Sequence, residues 1–256
     1  MGIRQRWREL WGPHKGALEP ARRLDLSSGF NVRELGGYAV PGGETAYRRF
    51  LRSGSLDTLS LVDQRRLHEY GVRQVLDLRG NYEVEMSRDR LTEMPGVRYL
   101  HVPLYDIDIS DPKLEHNDDS GAYFTLGYLT MLANRDAIGH IFSFFALAGP
   151  ENAVLFHCAA GMDRTGVTAM LLLGLAGASR ERIVADYCYS FGSNAEVDHC
   201  VFDGAKPKRR ELELRIDAMN VVLDRLLGAY GSFEEYLRAC GVTNEEMSAV
   251  RMHLMR

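Results

Sequence analysis

Cys158 stands six residues before Arg164 in the run His157-Cys158-Ala159-Ala160-Gly161-Met162-Asp163-Arg164-Thr165-Gly166. A cysteine thiolate is a strong nucleophile, and a guanidinium can grip two oxygens of an oxyanion in a planar fork that lysine cannot reproduce. A bare Cys-x5-Arg pair is weak evidence in a chain this rich in arginine. Its setting gives it content. The apolar residues 153–156 read as a short buried strand entering the cysteine, glycine holds the middle of the loop, and a helical pattern starts at the arginine. A loop between a strand end and a helix N-terminus turns successive backbone N–H groups inward and forms an anion nest in line with the helix dipole. The same positive field favours thiolate over thiol at Cys158. Thr165 can donate its hydroxyl to that thiolate, and His157 can fix the loop through hydrogen bonds. Ala159, Ala160, Gly161 and Met162, together with Thr165, are therefore the expected binding surface. Gly161 and Gly166 permit tight turning and close helix packing. The plainer reading is a buried cysteine that happens to precede a helix.

Elements on either side must hold this loop. Ser60 with Asp63 has the spacing of a capping box and opens a helix that stops at Gly71. Residues 74–78 and 97–104 read as buried strands, and residues 106–120 as a polar connection. A helix containing Tyr123, Phe124, Leu126, Tyr128, Leu129 and Met131 follows. Residues 165–175 form a helix apolar nearly all round, which belongs at the centre of a domain. Ser179 can cap a helix running to Tyr189. Pro207 lies near the start of a long helix ending before Gly231, with Ile216, Met219, Leu223, Leu226 and Leu227 on one stripe. Ser232 with Glu235, and Thr243 with Glu246, are two further capping boxes. Alternating strands and helices in one continuous chain predict an α/β domain, a mostly parallel sheet with helices on both faces. Residues 1–29 read as a short helix and an arm laid over a domain of residues 30–256. Arg4, Arg6 and Arg8 beside Trp7 and Trp11 would suit a membrane surface, but that apolar face is too small to bind well.

The chain has 256 residues, 45% hydrophobic and 26% charged, with a formal net charge of −4. That balance gives no reason to expect nucleic acid as a partner. The four cysteines, Cys158, Cys188, Cys200 and Cys240, include no CxxC pair, so neither a disulfide framework nor a zinc site is expected, and no cofactor is called for. Residues 169–176, the longest apolar stretch, are too few to span a bilayer, so stable membrane insertion is not expected. The N-terminus lacks the apolar run of a signal peptide. A cytoplasmic, reducing location is the expectation, although a protein exported without a signal peptide would carry the same marks.

On these residues the chain resembles the protein tyrosine phosphatase superfamily, whose loop reads His-Cys-x5-Arg-Ser/Thr. It is most similar to bacterial tyrosine phosphatases also described as dual- or triple-specificity enzymes, with HC-x-AG-K-DRTG where this chain has HCAAGMDRTG. Their NFRDLGG-like element is matched by residues 31–37, Asn31-Val32-Arg33-Glu34-Leu35-Gly36-Gly37. Further matches are Arg52-Ser53-Gly54, Val75-Leu76-Asp77-Leu78-Arg79, Asp186-Tyr187, Tyr230-Gly231-Ser232-Phe233 and Tyr236-Leu237. The resemblance covers about residues 30 to 256. Met162 replaces a lysine that those relatives associate with phosphoinositide binding, which weakens a lipid reading. Val32 and Glu34 replace Phe and Asp, which are milder changes.

The resemblance implies a metal-free, two-step phosphatase acting on phosphorylated proteins, with phosphotyrosine foremost, phosphoserine and phosphothreonine also open, and phosphoinositide as the alternative substrate. Cys158 would be the nucleophile, and Arg164 would stabilise the equatorial oxygens. A proton must reach the leaving oxygen. The closer relatives imply Asp163, and the wider superfamily implies an aspartate on a separate loop, here Asp106, Asp108 or Asp111. Asp163 stands beside Arg164 and could also be no more than its ion-pair partner. Asn31 and Arg33 either brace the phosphate loop and its substrate or make ordinary loop bonds. Asp77 and Arg79 read as a structural pair. Tyr123, Phe124 and Tyr128 fit a lid and core packing equally. Lys206, Lys208, Arg209 and Arg210 suit acidic substrates or a solvated helix start. Cys188, Cys200 and Cys240 read as inert.

Overall fold

The computed structural model describes residues 23–105, 122–190 and 209–255. Residues 1–22 of the expected arm, the three aspartates Asp106, Asp108 and Asp111, Cys200, Lys206 and Lys208 lie outside the described residues.

Seven strands occur among the described residues: β1 (Arg33–Glu34), β2 (Ala39–Val40), β3 (Gly43–Glu44), β4 (Phe50–Ser53), β5 (Val72–Asp77), β6 (Arg98–His101) and β7 (Ala153–His157). Five of them form one sheet in the order β1-β4-β7-β5-β6. The β4–β7, β7–β5 and β5–β6 pairs are parallel, and only the edge strand β1 is antiparallel. β2 and β3 form a separate ribbon. The sheet alternates with period two between two cores. Phe50, Leu76, Val154 and Phe156 face a large core, while Leu51, Val75, Ala153 and Leu155 face a smaller one. Both faces are buried along β4, β7 and β5, as central parallel strands require, whereas β6, expected to be buried, lies at the sheet edge with Arg98 and Tyr99 exposed.

The smaller core is closed by α1 (Leu61–Tyr70) and a 3-10 turn at Arg90–Glu93, through Leu67 and Leu91. The larger is closed by α3 (Ala122–Ala133), α4 (Arg135–Ala146), α5 (Asp163–Leu175), α6 (Arg180–Tyr189), α7 (Arg209–Tyr230), α8 (Phe233–Ala239) and α9 (Asn244–Met255), while α2 (Asn81–Met86) follows β5. Every residue of α5 from Thr165 onward is buried, which explains its all-round apolar pattern.

Local signals place several boundaries. The Ser60 hydroxyl accepts from Asp63 N–H, and Gly71 ends α1 in the left-handed region. The reciprocal half of that box is missing, because the Asp63 carboxylate instead takes Ser27 and Ser28 and ties the segment before Phe30 to the domain. Thr243 and Glu246 make both halves of theirs. Ser179 stands at the start of α6, but its side chain makes no capping bond to the helix. The strand expected over residues 97–104 is shorter, since Pro103 has no N–H with which to extend the ladder. Helices α2 and α4 and strands β1 to β4 were not foreseen. In β4 the pattern is hidden because two of its four buried residues, Arg52 and Ser53, are polar.

Candidate active site

β4, β7 and β5 end in register at Ser53, His157 and Asp77. The loop from Cys158 to Met162 therefore leaves the carboxyl edge of a parallel sheet, where such sheets place ligands. α5 begins directly after it, at Asp163.

The loop carbonyls are bonded outward. Ser55 N–H donates to Ala159 O at 2.7 Å, and Asn31 Nδ2 donates to Ala160 O at 3.1 Å and Gly161 O at 3.0 Å. Arg52 Nη2 reaches Gly161 O at 2.8 Å, and Gly166 N–H reaches Met162 O at 2.8 Å. In a trans peptide, C=O and N–H point to opposite sides. Holding these carbonyls outward turns the N–H groups of the same peptides to the inner side, where they can hold an anion beside the helix N-terminus. Gly161 has φ +67°, and a Cβ there would lie 2.5 Å from the Ser53 carbonyl carbon and oxygen. No other residue fits this turn against β4 without displacement.

Cys158 is buried, and the Thr165 hydroxyl donates to its sulfur at 3.1 Å. Under it, His157 bonds Asp89 Oδ2 at 3.0 Å, and Arg79 takes both carboxylate oxygens of Asp77. Burial opposes the charge on His157, but Asp77 and Asp89 outweigh it and push the imidazole's pKa up. Burial likewise opposes the Asp77 charge, yet His157 and Arg79 hold that carboxyl well below the usual range. Asp77, Asp89 and His157 have ligand atoms within 4.8 Å of one another, a spacing that could hold a cation. Arg79 and the Tyr99 hydroxyl already occupy Asp77, so the cluster reads as an ion network under the strand ends.

Arg164 meets a partner that no motif announced. Its Nη1 and Nη2 both donate to the Glu83 carboxylate of α2, the second at 2.9 Å. Gly80 N–H fixes the same carboxylate at 2.7 Å. This end-on pairing leaves the Nε edge of the guanidinium for other oxygens. Burial works against the Arg164 charge, but Glu83 and Cys158 outweigh it and push its pKa up.

The expected ion pair between Asp163 and Arg164 does not form: among the described residues Asp163 pairs with Arg215, and Arg164 with Glu83. Asp163 Oδ1 accepts from Arg215 Nη1 of α7 at 2.6 Å, from the Tyr187 hydroxyl at 3.2 Å, and from the Tyr128 hydroxyl. Tyr128 is thus a buried wall of the site. Tyr123 and Phe124 are half-buried, and Phe124 lies under the Arg215 guanidinium at 4.1 Å. Burial would raise the Asp163 carboxyl, but Arg215 and Tyr128 outweigh it and hold it below the ordinary value.

Asn31 touches the loop directly, whereas Arg33 acts at one remove, bonding Asn31, Asp186 O at 3.1 Å and Ser190 Oγ at 2.8 Å. Asp186 in turn pairs with buried Arg52. Burial pushes the Cys188 thiol up to about 12 and also raises Cys240, as inert cysteines should behave.

A sequence model described as the tyrosine phosphatase family matches residues 24–256. The chain belongs to the tyrosine phosphatase family. As a member it is a phosphoric monoester hydrolase. It is 30% identical over 222 residues to a tyrosine-protein phosphatase of Nostoc commune, covering 80% of this chain and 74% of the relative. It is 25% identical over 272 residues to the triple specificity protein phosphatase PtpB of Mycobacterium tuberculosis, covering 89% and 97%. Glu83, Arg215, Arg52 and Tyr187 bond the loop and the first residues of α5, and sequence reasoning gave them no role. Only the matched tripeptide at Arg52 and the dipeptide at Tyr187 carried a signal. Among the described residues, no helix is long and apolar enough to cross a membrane.

Proposed function

We propose that this phosphatase hydrolyses phosphotyrosine in proteins through a cysteinyl-phosphate on Cys158, with phosphoserine and phosphothreonine as further substrates. The observation that carries this reading is the Cys158–Met162 loop, whose carbonyls are tied outward around a sulfur that the Thr165 hydroxyl already contacts at 3.1 Å. The phosphoryl oxygens take the loop N–H groups and the Nε edge of Arg164. The Cys158 sulfur bonds to phosphorus as the bond to the leaving oxygen breaks, and Asp163 gives that oxygen its proton. Water then attacks phosphorus and gives a proton to the Asp163 carboxylate. The sulfur–phosphorus bond breaks, which restores the thiolate and releases inorganic phosphate.

Asp163 is supported as donor by its place at the loop rim and by its Oδ2, to which no described residue donates. Met162 is buried and uncharged, so it offers nothing to the extra phosphates of a lipid headgroup. On this reading residues 30–256 are the catalytic domain.

The test is turnover of phosphotyrosine peptides beside a phosphoinositide panel, with chelator present. Wild type should prefer the peptides, and Cys158→Ser should lose turnover while staying folded and binding inorganic phosphate. Activity surviving in Cys158→Ser would remove the mechanism, and a preference for phosphoinositides would reverse the substrate.

A further inference from the structure

The carboxylate of Asp163 is bonded asymmetrically. Three side chains from three helices donate to Oδ1: Tyr128 of α3, Tyr187 of α6 and Arg215 of α7. The Tyr128 and Tyr187 hydroxyl oxygens also lie within hydrogen-bonding reach of each other, so their two hydrogens are shared between that contact and Asp163 Oδ1. Asp163 remains one-third exposed, and Oδ2 is the oxygen left to carry a proton. Arg215 is itself held, with its guanidinium over the Phe124 ring and only 15% of its side chain exposed. A stacked guanidinium in a fixed position is a permanent charge against a carboxylate that must change charge twice per turnover.

We propose that Arg215 is the positioning residue of the proton donor: it anchors Asp163 through Oδ1, aims Oδ2 at the leaving oxygen, and sets the upper pH limit of leaving-group protonation. The inference rests on the reading of Asp163 as the acid.

The other groups facing Asp163 do not titrate in the working range. Burial pushes Tyr123, Tyr128 and Tyr187 up, so all three stay neutral. Arg164, beside Asp163 on α5, has Glu83 of α2 as its bidentate partner. Arg215 is therefore the cation bonded directly to the Asp163 carboxylate. Its charge favours the carboxylate, which narrows the pH range in which the first step has a proton to give. The same charge keeps the carboxylate ready to accept a proton from water in the second step.

The experiment is kcat/KM against pH for phenyl phosphate, whose leaving group needs a proton, in wild type, Arg215→Gln, Arg215→Lys and Asp163→Asn. Arg215→Gln should move the basic limb up by about one pH unit, the low end for an opposite charge at this distance. The variant should then be roughly fivefold more active than wild type one unit above the wild-type limb, approaching tenfold at still higher pH. Arg215→Lys should bring the limb back toward wild type, and Asp163→Asn should abolish it. A limb that stays in place or moves down in Arg215→Gln, or a loss of activity uniform across pH, overturns the proposal. If the limb persists in Asp163→Asn, the acid reading itself has failed. If it vanishes there but does not move in Arg215→Gln, only the role of Arg215 has failed.

Discussion

Asp186→Asn tests whether the Cys158–Met162 loop depends on a buried charge balance behind it. Asp186 lies between Arg52 and Arg33, and none of the three side chains is more than 2% exposed. Arg52 bonds Asp186 Oδ2 and, through its other nitrogen, the Gly161 carbonyl; Arg33 Nε lies 3.6 Å from Oδ1, which also accepts from Tyr38 at 2.9 Å. Burial, with Arg52 next, already pushes Arg33 down to about 10, and Asp186 is the largest force holding it up. Asparagine keeps the shape and an acceptor for Tyr38 but leaves two guanidinium groups against each other without a counter-charge. Removing one partner of a buried ion pair costs about 3–5 kcal/mol. Native stability is typically only about 5–15 kcal/mol, so the variant should fold but lose a large fraction of its margin. Urea unfolding should show a lower midpoint at unchanged slope, on the order of 1–2 M lower for a slope of about 3 kcal/mol/M. Phosphate affinity and kcat should fall together, because Arg52 loses the partner that aims it at Gly161. A stability loss under about 1 kcal/mol, the range of an exposed pair, would refute the reasoning. So would normal kcat in a variant that is clearly destabilised, since the network would then be structural without supporting the loop.

Two further outcomes follow from single positions. Gly161→Ala puts a methyl 2.5 Å from the Ser53 backbone at φ +67°. The left-handed backbone alone costs about 1–2 kcal/mol, and the displaced loop should abolish vanadate binding measured by calorimetry. Near-normal binding would show that the loop can shift without harm. Glu34 is fully buried with Oε2 unpartnered, and burial pushes its carboxyl from 4.5 to about 7 against the hydrogen bonds from Tyr70 and Arg48. A folded-state value above the unfolded one means that this group's contribution is fully present below pH 4.5 and is lost as pH rises through 7. Glu34→Gln, which mimics the neutral form, should therefore match wild type near pH 4.5 and exceed it by on the order of 3 kcal/mol above pH 8. Equal stability of the two proteins at both pH values would show that Glu34 is not held as described.

Residues adjacent in the chain made much of the site legible. Strand, loop and helix N-terminus follow one another without interruption from Ala153 to Leu175, so the spacing of Cys158, Gly161, Arg164 and Thr165 already determines their juxtaposition. Periodicity likewise marked α3, α5 and α7, because long apolar faces report their own burial. Glu83 and Arg215 carried no comparable signal, and Arg52 and Asp186 only that of short matched motifs without a role. All four reach the loop from 81, 52, 109 and, through Arg52, 134 positions away. A charged side chain reads as surface in any local window. Its burial is tolerable only when a specific opposite charge arrives from another element, and that meeting is decided by the packing of α2, α6 and α7 around the sheet. The sequence by itself therefore determined which atoms could do chemistry, and the tertiary structure decided which charges hold them, since electrostatic partnership depends on distance in space and not along the chain.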